Sequence, residues 1–202
     1  MGHGTFSGEP ETAWLTQAGT PDRDMRLLRD ISFTDPAGTR WSAPAGSVID
    51  GASIPRALWT VVGSPYTGDC RRASIVHDIA CVQAAGDRDQ RRAADRMFFH
   101  GCRADGCSIR QAAILYLGVR VGAAAPQIPA WRAAVAAERD GPRIRRTGPE
   151  ARLERDFEMI AERVLAPGET DEAEQLEARA DEALLVMSAA HSLGSGPTTD
   201  YA

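Results

Sequence analysis

Apolar and polar positions change rhythm near residue 55. Before it, short apolar stretches are cut by turn signals. Met25 to Thr34 is broadly apolar with a β-branched and aromatic end. Asp35-Pro36-Ala37-Gly38 follows, where Pro presets φ and Gly permits a positive φ. Thr39 to Ala43 alternates, Pro44-Ala45-Gly46 turns again, and Ser47 to Asp50 is a short return. This pattern predicts a small antiparallel β-meander within residues 1–50.

From Pro55 the spacing becomes helical. Ile54 to Val62 has Pro near a helix start, where it is tolerated. Gly63 to Gly68 breaks that segment, and Asp69 can cap a helix running to about Gln83. Ala73, Val76 and Ala80 share one face of it. Gly86-Asp87 precedes a third helix, about Asp89 to Arg103, and Ser108 caps a fourth to about Gly122. Ala112, Leu115, Leu117 and Val121 form its buried side, and Pro126, Pro129 and Trp131 are expected to carry the chain away.

Pro149 to Leu165 and Thr170 to Ala190 are amphipathic, split by Pro167-Gly168. Leu153, Phe157, Ile160 and Val164 keep helical spacing, as do Leu176, Ala180, Leu184 and Met187. A helical hairpin packing on the main domain or on a partner is expected. The expected fold is therefore α+β. An α+β domain spans 1–140, a linker 141–149, a separable helical extension 150–192 and a disordered tail 193–202.

Composition narrows the partners. A formal charge of −5 over 202 residues gives no reason to expect nucleic acid. No apolar run approaches the roughly 18 residues of a membrane span, and the start Met1-Gly2-His3-Gly4 lacks a signal peptide's basic and apolar regions. A cytoplasmic protein is the default expectation, with a phage particle or release by lysis as other routes. Cys70, Cys81, Cys102 and Cys107 are then expected to be reduced, mostly buried thiols.

The candidate chemistry centres on His77-Asp78 and Asp95. His77 can be a base or a hydrogen-bonded structural residue. Asp78 points about 100° around the helix from His77, so the two do not pair directly. Asp95 precedes Phe98 and Phe99 at i+3 and i+4 and so borders a buried face. A carboxylate there needs a donor: His77 from the preceding antiparallel helix, or Arg91 or Arg92 on its own. Asp50-Gly51-Ala52-Ser53 is a loop whose oxygens suit Ca²⁺, or a turn in which Asp50 or Ser53 caps.

The motifs Asp50-Gly-Ala-Ser-Ile-Pro-Arg56, Trp59, Arg71-Arg-Ala-Ser-Ile-Val-His77-Asp78 and Ala94-Asp95-Arg-Met-Phe98 resemble a family of uncharacterised phage and bacterial domains, over about residues 3–135. The core also resembles the phospholipase A2 superfamily, most nearly its bacterial and parvoviral members, through His77-Asp78 and Asp95-Arg-Met-Phe98. That second resemblance implies a calcium-dependent hydrolase of lipid esters working at a phospholipid surface. It implies His77 as the water-activating base, Asp95 as its orienter, and Asp78 with Asp50 and Gly51 as Ca²⁺ ligands. Where those enzymes place a Tyr, four residues after the His, this chain has Cys81. Trp59, Val61, Val62 and Tyr66 could form an interfacial apolar surface, or ordinary core and turn packing. Two rival functions stand beside the hydrolase. One is a non-catalytic interaction module on the same frame, docking a partner or a second copy through 150–192. The other is a metal-dependent phosphohydrolase, for which His3, His100 and His191 are badly placed in sequence.

Overall fold

The computed structural model of the chain describes residues 2–15, 24–63, 68, 70–137 and 147–193. Six short strands come first: β1 (Thr5–Phe6), β2 (Thr12–Trp14), β3 (Met25–Leu27), β4 (Ile31–Thr34), β5 (Arg40–Ala43) and β6 (Val48–Ile49). They form two antiparallel sheets of three strands, ordered β1-β4-β5 and β2-β3-β6. A plain meander was the expectation. The run from Met25 to Thr34 instead splits at Leu28-Arg29-Asp30, and its halves go to different sheets. Asp30 accepts the Ala45 N–H at 2.7 Å, which turns the chain there. The turn at Asp35 forms as its residues dictate. The Asp35 carboxylate accepts the Ala37 and Thr39 N–H groups, and Gly38 takes φ 85°.

The helices are α1 (Trp59–Val62), α2 (Arg71–Ala84), α3 (Arg88–Ala104), α4 (Ile109–Ala124), α5 (Pro129–Ala137), α6 (Gly148–Leu165) and α7 (Ala173–Leu193). Asp69 and Tyr66 lie outside the described residues, as do 141–146 of the expected linker and 194–202 of the expected tail. Asp87 caps α3 by accepting from Asp89 and Gln90, and Ser108 caps α4 by accepting from Gln111. Thr147 and Glu150 close a capping box at α6. Past α4 the chain does not leave. Pro126 sits in a 3₁₀ turn and Pro129 starts α5, which seats Trp131 fully in the core.

Helix α2 is the axis of the molecule. Its Ile75, Val76, Ile79 and Ala80 pack under Leu27, Ile31, Phe33, Ala43 and Ile49 of the sheets, and α3 covers another side. One apolar face was expected, yet every residue from Ala73 to Ala80 is buried. Polar side chains on α2 therefore need partners inside the protein. Helices α2 and α3 pack closely, because a Cβ on Gly101 would stand 2.9 Å from that of Ala73. Further along the same seam His77 meets Asp95.

The apolar stripes of α6 and α7 join the core of α4 and α5, through Leu153, Phe157, Ile160, Val164, Leu176 and Ala180. The hairpin thus packs on the main domain. Its charged side is tied in as well. Glu177 receives Arg92 at 2.9 Å, Arg96 at 2.7 Å and Arg120 at 3.3 Å, and Asp181 receives Arg92 and Arg120. No helix among the described residues is long and apolar enough to cross a membrane.

Candidate functional site

His77 and Asp95 face each other across the α2–α3 seam. The His77 Nε2 donates to Asp95 Oδ1 at 2.8 Å. His77 is 0% and Asp95 1% exposed. The Phe98 ring packs 4.9 Å from the imidazole and walls it off. Arg91, one turn earlier on α3, also donates its Nε to Asp95 Oδ1 at 3.3 Å. Of the three partners that the sequence offered for Asp95, His77 and Arg91 are used, while Arg92 turns away to α7. Asp95 Oδ2 makes no hydrogen bond among the described residues, and Arg120 Nε lies 3.7 Å from it.

Cys81 stands one helical turn after His77 on α2. Its Sγ is 3.4 Å from Nε2 and 3.7 Å from Nδ1, so the sulfur sits beside the imidazole. Burial works against a charged His77. The Cys81 sulfur and the Asp95 carboxylate outweigh that and raise its pKa to about 9. Among the described residues, His77, Cys81 and Asp95 form the group whose ligand atoms all lie within 4.8 Å of one another. A sulfur, nitrogen and oxygen set would suit a zinc-like ion rather than calcium. Arg91 and Arg120 already face the carboxylate, however, so its charge is balanced without an ion.

Asp78 meets the Asp50-Gly51 loop, as the resemblance implies, but through different atoms. Its Oδ2 accepts the Asp50 backbone N–H at 2.8 Å, and the Gly51 backbone also hydrogen-bonds it. Burial, then the Asp50 charge, raise the Asp78 pKa to about 7 against the pull of those N–H groups. Calcium takes oxygen ligands. A loop that offers N–H donors to a buried carboxylate does not fit it as arranged. Here Asp78 anchors the loop that joins β6 to α1.

A cleft of about 570 Å³ opens beside the dyad. Cys81 and Asp95 lie on its lining with Arg88, Arg91, Arg92 and Arg120. It is cationic rather than an apolar groove, and the sequence reading missed it. Arg88, Arg91 and Arg92 sit in one run on α3, which could have signalled it, but Arg120 comes from α4 and has no local signal. Of the two readings for Trp59, Val61 and Val62, ordinary packing fits better: Trp59 donates its indole N–H to Ile54 and is half-buried, Val62 is buried and Val61 is exposed. The structure also gathers two histidines that the sequence scatters. His3 Nε2 lies 3.1 Å from Asp171, and the His100 ring is 6.0 Å from that of His3. Burial and the neighbouring His3 hold His100 below the usual histidine range.

Comparison with known proteins places the matched segment over this site. Residues 25–119 match the model of a family described as a protein of unknown function (DUF1353). The uncharacterized protein y4jT of Sinorhizobium fredii is 36% identical over 118 residues, which cover 57% of this chain and 33% of that protein. The uncharacterized protein y4iH of the same organism is 33% identical over 101 residues, 48% of this chain and 40% of that protein. The chain thus matches well under half the length of both relatives. No solved structure gives a significant match. The family segment contains His77, Asp78, Cys81 and Asp95 but ends before Arg120 and the α6–α7 hairpin.

Proposed function

We propose that this domain hydrolyses carboxylic esters, lipid esters among them, with His77 as the proton-accepting base and Asp95 as the residue that orients it. One observation supports this above the rest: a 2.8 Å contact between His77 Nε2 and Asp95 Oδ1 across two antiparallel helices. The carboxylate accepts the hydrogen bond of the Nε2–H and so, in the neutral ring, leaves Nδ1 as the basic nitrogen. The Asp78 anchor supports the reading in a second way, because it ties the Asp50-Gly51 loop to the helix that carries the base. The cationic cleft beside the pair matches an ester that bears a phosphate or carboxylate group. Calcium takes no part in this reading.

A second reading has its own support. The dyad is almost wholly buried, as in a polar pair that merely specifies helix packing. On that reading the domain is an interaction module.

Fatty-acid release from mixed phospholipid vesicles, and hydrolysis of soluble short-chain esters, separate the two. Each is run with calcium and with EDTA. The hydrolase predicts turnover that persists in EDTA, is abolished by His77→Ala and is weakened less by Asp95→Asn. No turnover of any ester, or turnover indifferent to His77→Ala in a folded protein, leaves the interaction module.

A further inference from the structure

Three groups make up the dyad's neighbourhood, and solvent reaches them unequally. His77 and Asp95 are closed off, while Cys81 is partly exposed and lines the cleft. A water molecule activated by His77 would need the space beside Nδ1. The Cys81 sulfur lies against the ring, 3.7 Å from Nδ1 and 3.4 Å from Nε2. The carboxylate holds Nε2, which leaves Nδ1 as the nitrogen that can take the thiol proton. That is the arrangement by which a base activates a nucleophile and a third group orients the base.

The surroundings favour a thiol over a metal. Arg91 and Arg120 face Asp95 from the cleft side, and their positive charge repels a cation. The same guanidiniums describe the ligand. Arg92 and Arg120 are bound by Glu177 and Asp181. Arg91 has one buried Nη2 with no acceptor among the described residues. Arg88, at the start of α3, lines the cleft mouth. An anionic group would satisfy both.

We propose that Cys81 is the nucleophile of this site, activated by the His77–Asp95 pair, and that it opens esters carrying an anionic group held by Arg88 and Arg91. The proposal rests on the reading of His77 as a base and replaces water by a thiol in the first step. Cys81 Sγ attacks the carbonyl carbon, forming the S–C bond as the C–O bond of the ester breaks. The thiol proton passes to His77 and from it to the departing alkoxide oxygen. Water then attacks the thioester and gives its proton to His77. The carboxylic acid leaves as the proton returns to sulfur, and the site is restored.

Alkylation tests the thiol without any assumption about substrate. Cys70, Cys102 and Cys107 are at most 4% exposed, so native labelling followed by intact mass reads Cys81 alone. At pH 6 free thiols are almost wholly protonated. Cys81 should there react with iodoacetamide about ten-fold or more faster than glutathione does. Iodoacetate, which has the same chemistry with a negative charge, should gain further over iodoacetamide, and Arg88→Ser should remove that gain. His77→Gln should return the rate to that of glutathione; Asp95→Asn is the second variant, should His77→Gln fail to fold. An activated anionic ester, mono-4-nitrophenyl succinate, should leave one acyl group on Cys81 after acid quench.

Alkylation of wild-type Cys81 no faster than glutathione overturns the proposal. So does ester turnover that survives Cys81→Ser, and that result would keep His77 as the base of a water mechanism. Acylation of Cys81 without turnover would do the opposite: the reactive thiol stands and the hydrolase reading falls.

Discussion

Two His–Asp pairs of equal length lie in this molecule, and they do different work. His77 Nε2 meets Asp95 at 2.8 Å in the α2–α3 seam. His191 Nε2, from α7, meets Asp156 Oδ2 of α6 at the same 2.8 Å. Around Asp156 the other partner is the Trp131 indole N–H, at 2.7 Å on the same oxygen. Trp131 is wholly buried and His191 packs edge-on to its ring. That pair ties three helices together. Around Asp95 there are a sulfur, two guanidiniums and a cleft. The distance is the same in both, so what separates a candidate site from a fastener is the company the pair keeps.

The sharpest way to break the comparison is activity. His77→Ala should lower ester turnover by about 10²–10⁴, the usual worth of a positioned base. His191→Ala should leave it unchanged. Equal losses in the two variants would mean that both act only through folding.

Stability should show the reverse order. Trp131→Ala should lower the unfolding free energy by about 3–5 kcal/mol, through the lost ring and the unmet Asp156 carboxylate, as measured by denaturant unfolding. A loss under about 1 kcal/mol would mean that α5 is not needed to seat α6.

Next in size is pH dependence, which bears on the His77 side of the comparison. His77 is raised in the folded state from an ordinary 6.5 to about 9. Its stabilisation is therefore complete below about pH 6.5 and lost as pH climbs through 9. Asp78, raised from 3.8 to about 7, acts in the same sense over a lower window: its contribution is present below about 3.8 and lost on rising through 7. The thermal midpoint should fall from pH 8 to 9 in the wild type and stay flat there in His77→Gln. A drop that persists in His77→Gln would assign it to another group.

The smallest effect should come from His191→Ala itself, about 0.5–1.5 kcal/mol for one hydrogen bond at a ring that is 17% exposed. A larger loss would promote this end of α7 from a fastener to a part of the core.

The His77–Asp95 pair was legible in sequence because a short break between two helical patterns makes them antiparallel neighbours. Asp95 also sat beside Phe98 and Phe99, where a bare carboxylate is costly. The His191–Asp156 pair was not legible. Its members are 35 residues apart on the two arms of the hairpin, and its third partner Trp131 lies on a helix that the Pro-rich spacing concealed. Cys81 was read as a reduced thiol and as a missing Tyr, since spacing alone does not show which neighbour faces a cleft. The burial of α2 on all sides escaped for a similar reason. Spacing marked only the face of Ala73, Val76 and Ala80, and the packing of sheets and helices around α2 is what makes Ser74, His77 and Asp78 internal as well. In the N-terminal half, the turn chemistry at Asp35 and Gly38 was visible, whereas the break at Leu28-Arg29-Asp30 carried no Pro or Gly to announce it.

Glu177 has a consequence in time. It is the carboxylate on which Arg92, Arg96 and Arg120 converge, and it lies 57 residues after Arg120. At a synthesis rate of about 5–20 residues per second, those residues take roughly 3–11 s to appear. For that interval α3 and α4 exist with Arg92 and Arg96 still waiting for that carboxylate. Whatever α2, α3 and α4 have assembled by then is an open cationic face, free to hold an anion from its surroundings. The last arm of the hairpin closes that face by displacing whatever has settled there. An anion that binds the arginines tightly should therefore slow refolding of the full chain, and a nascent chain stalled before Glu177 should bind anions that the finished protein refuses.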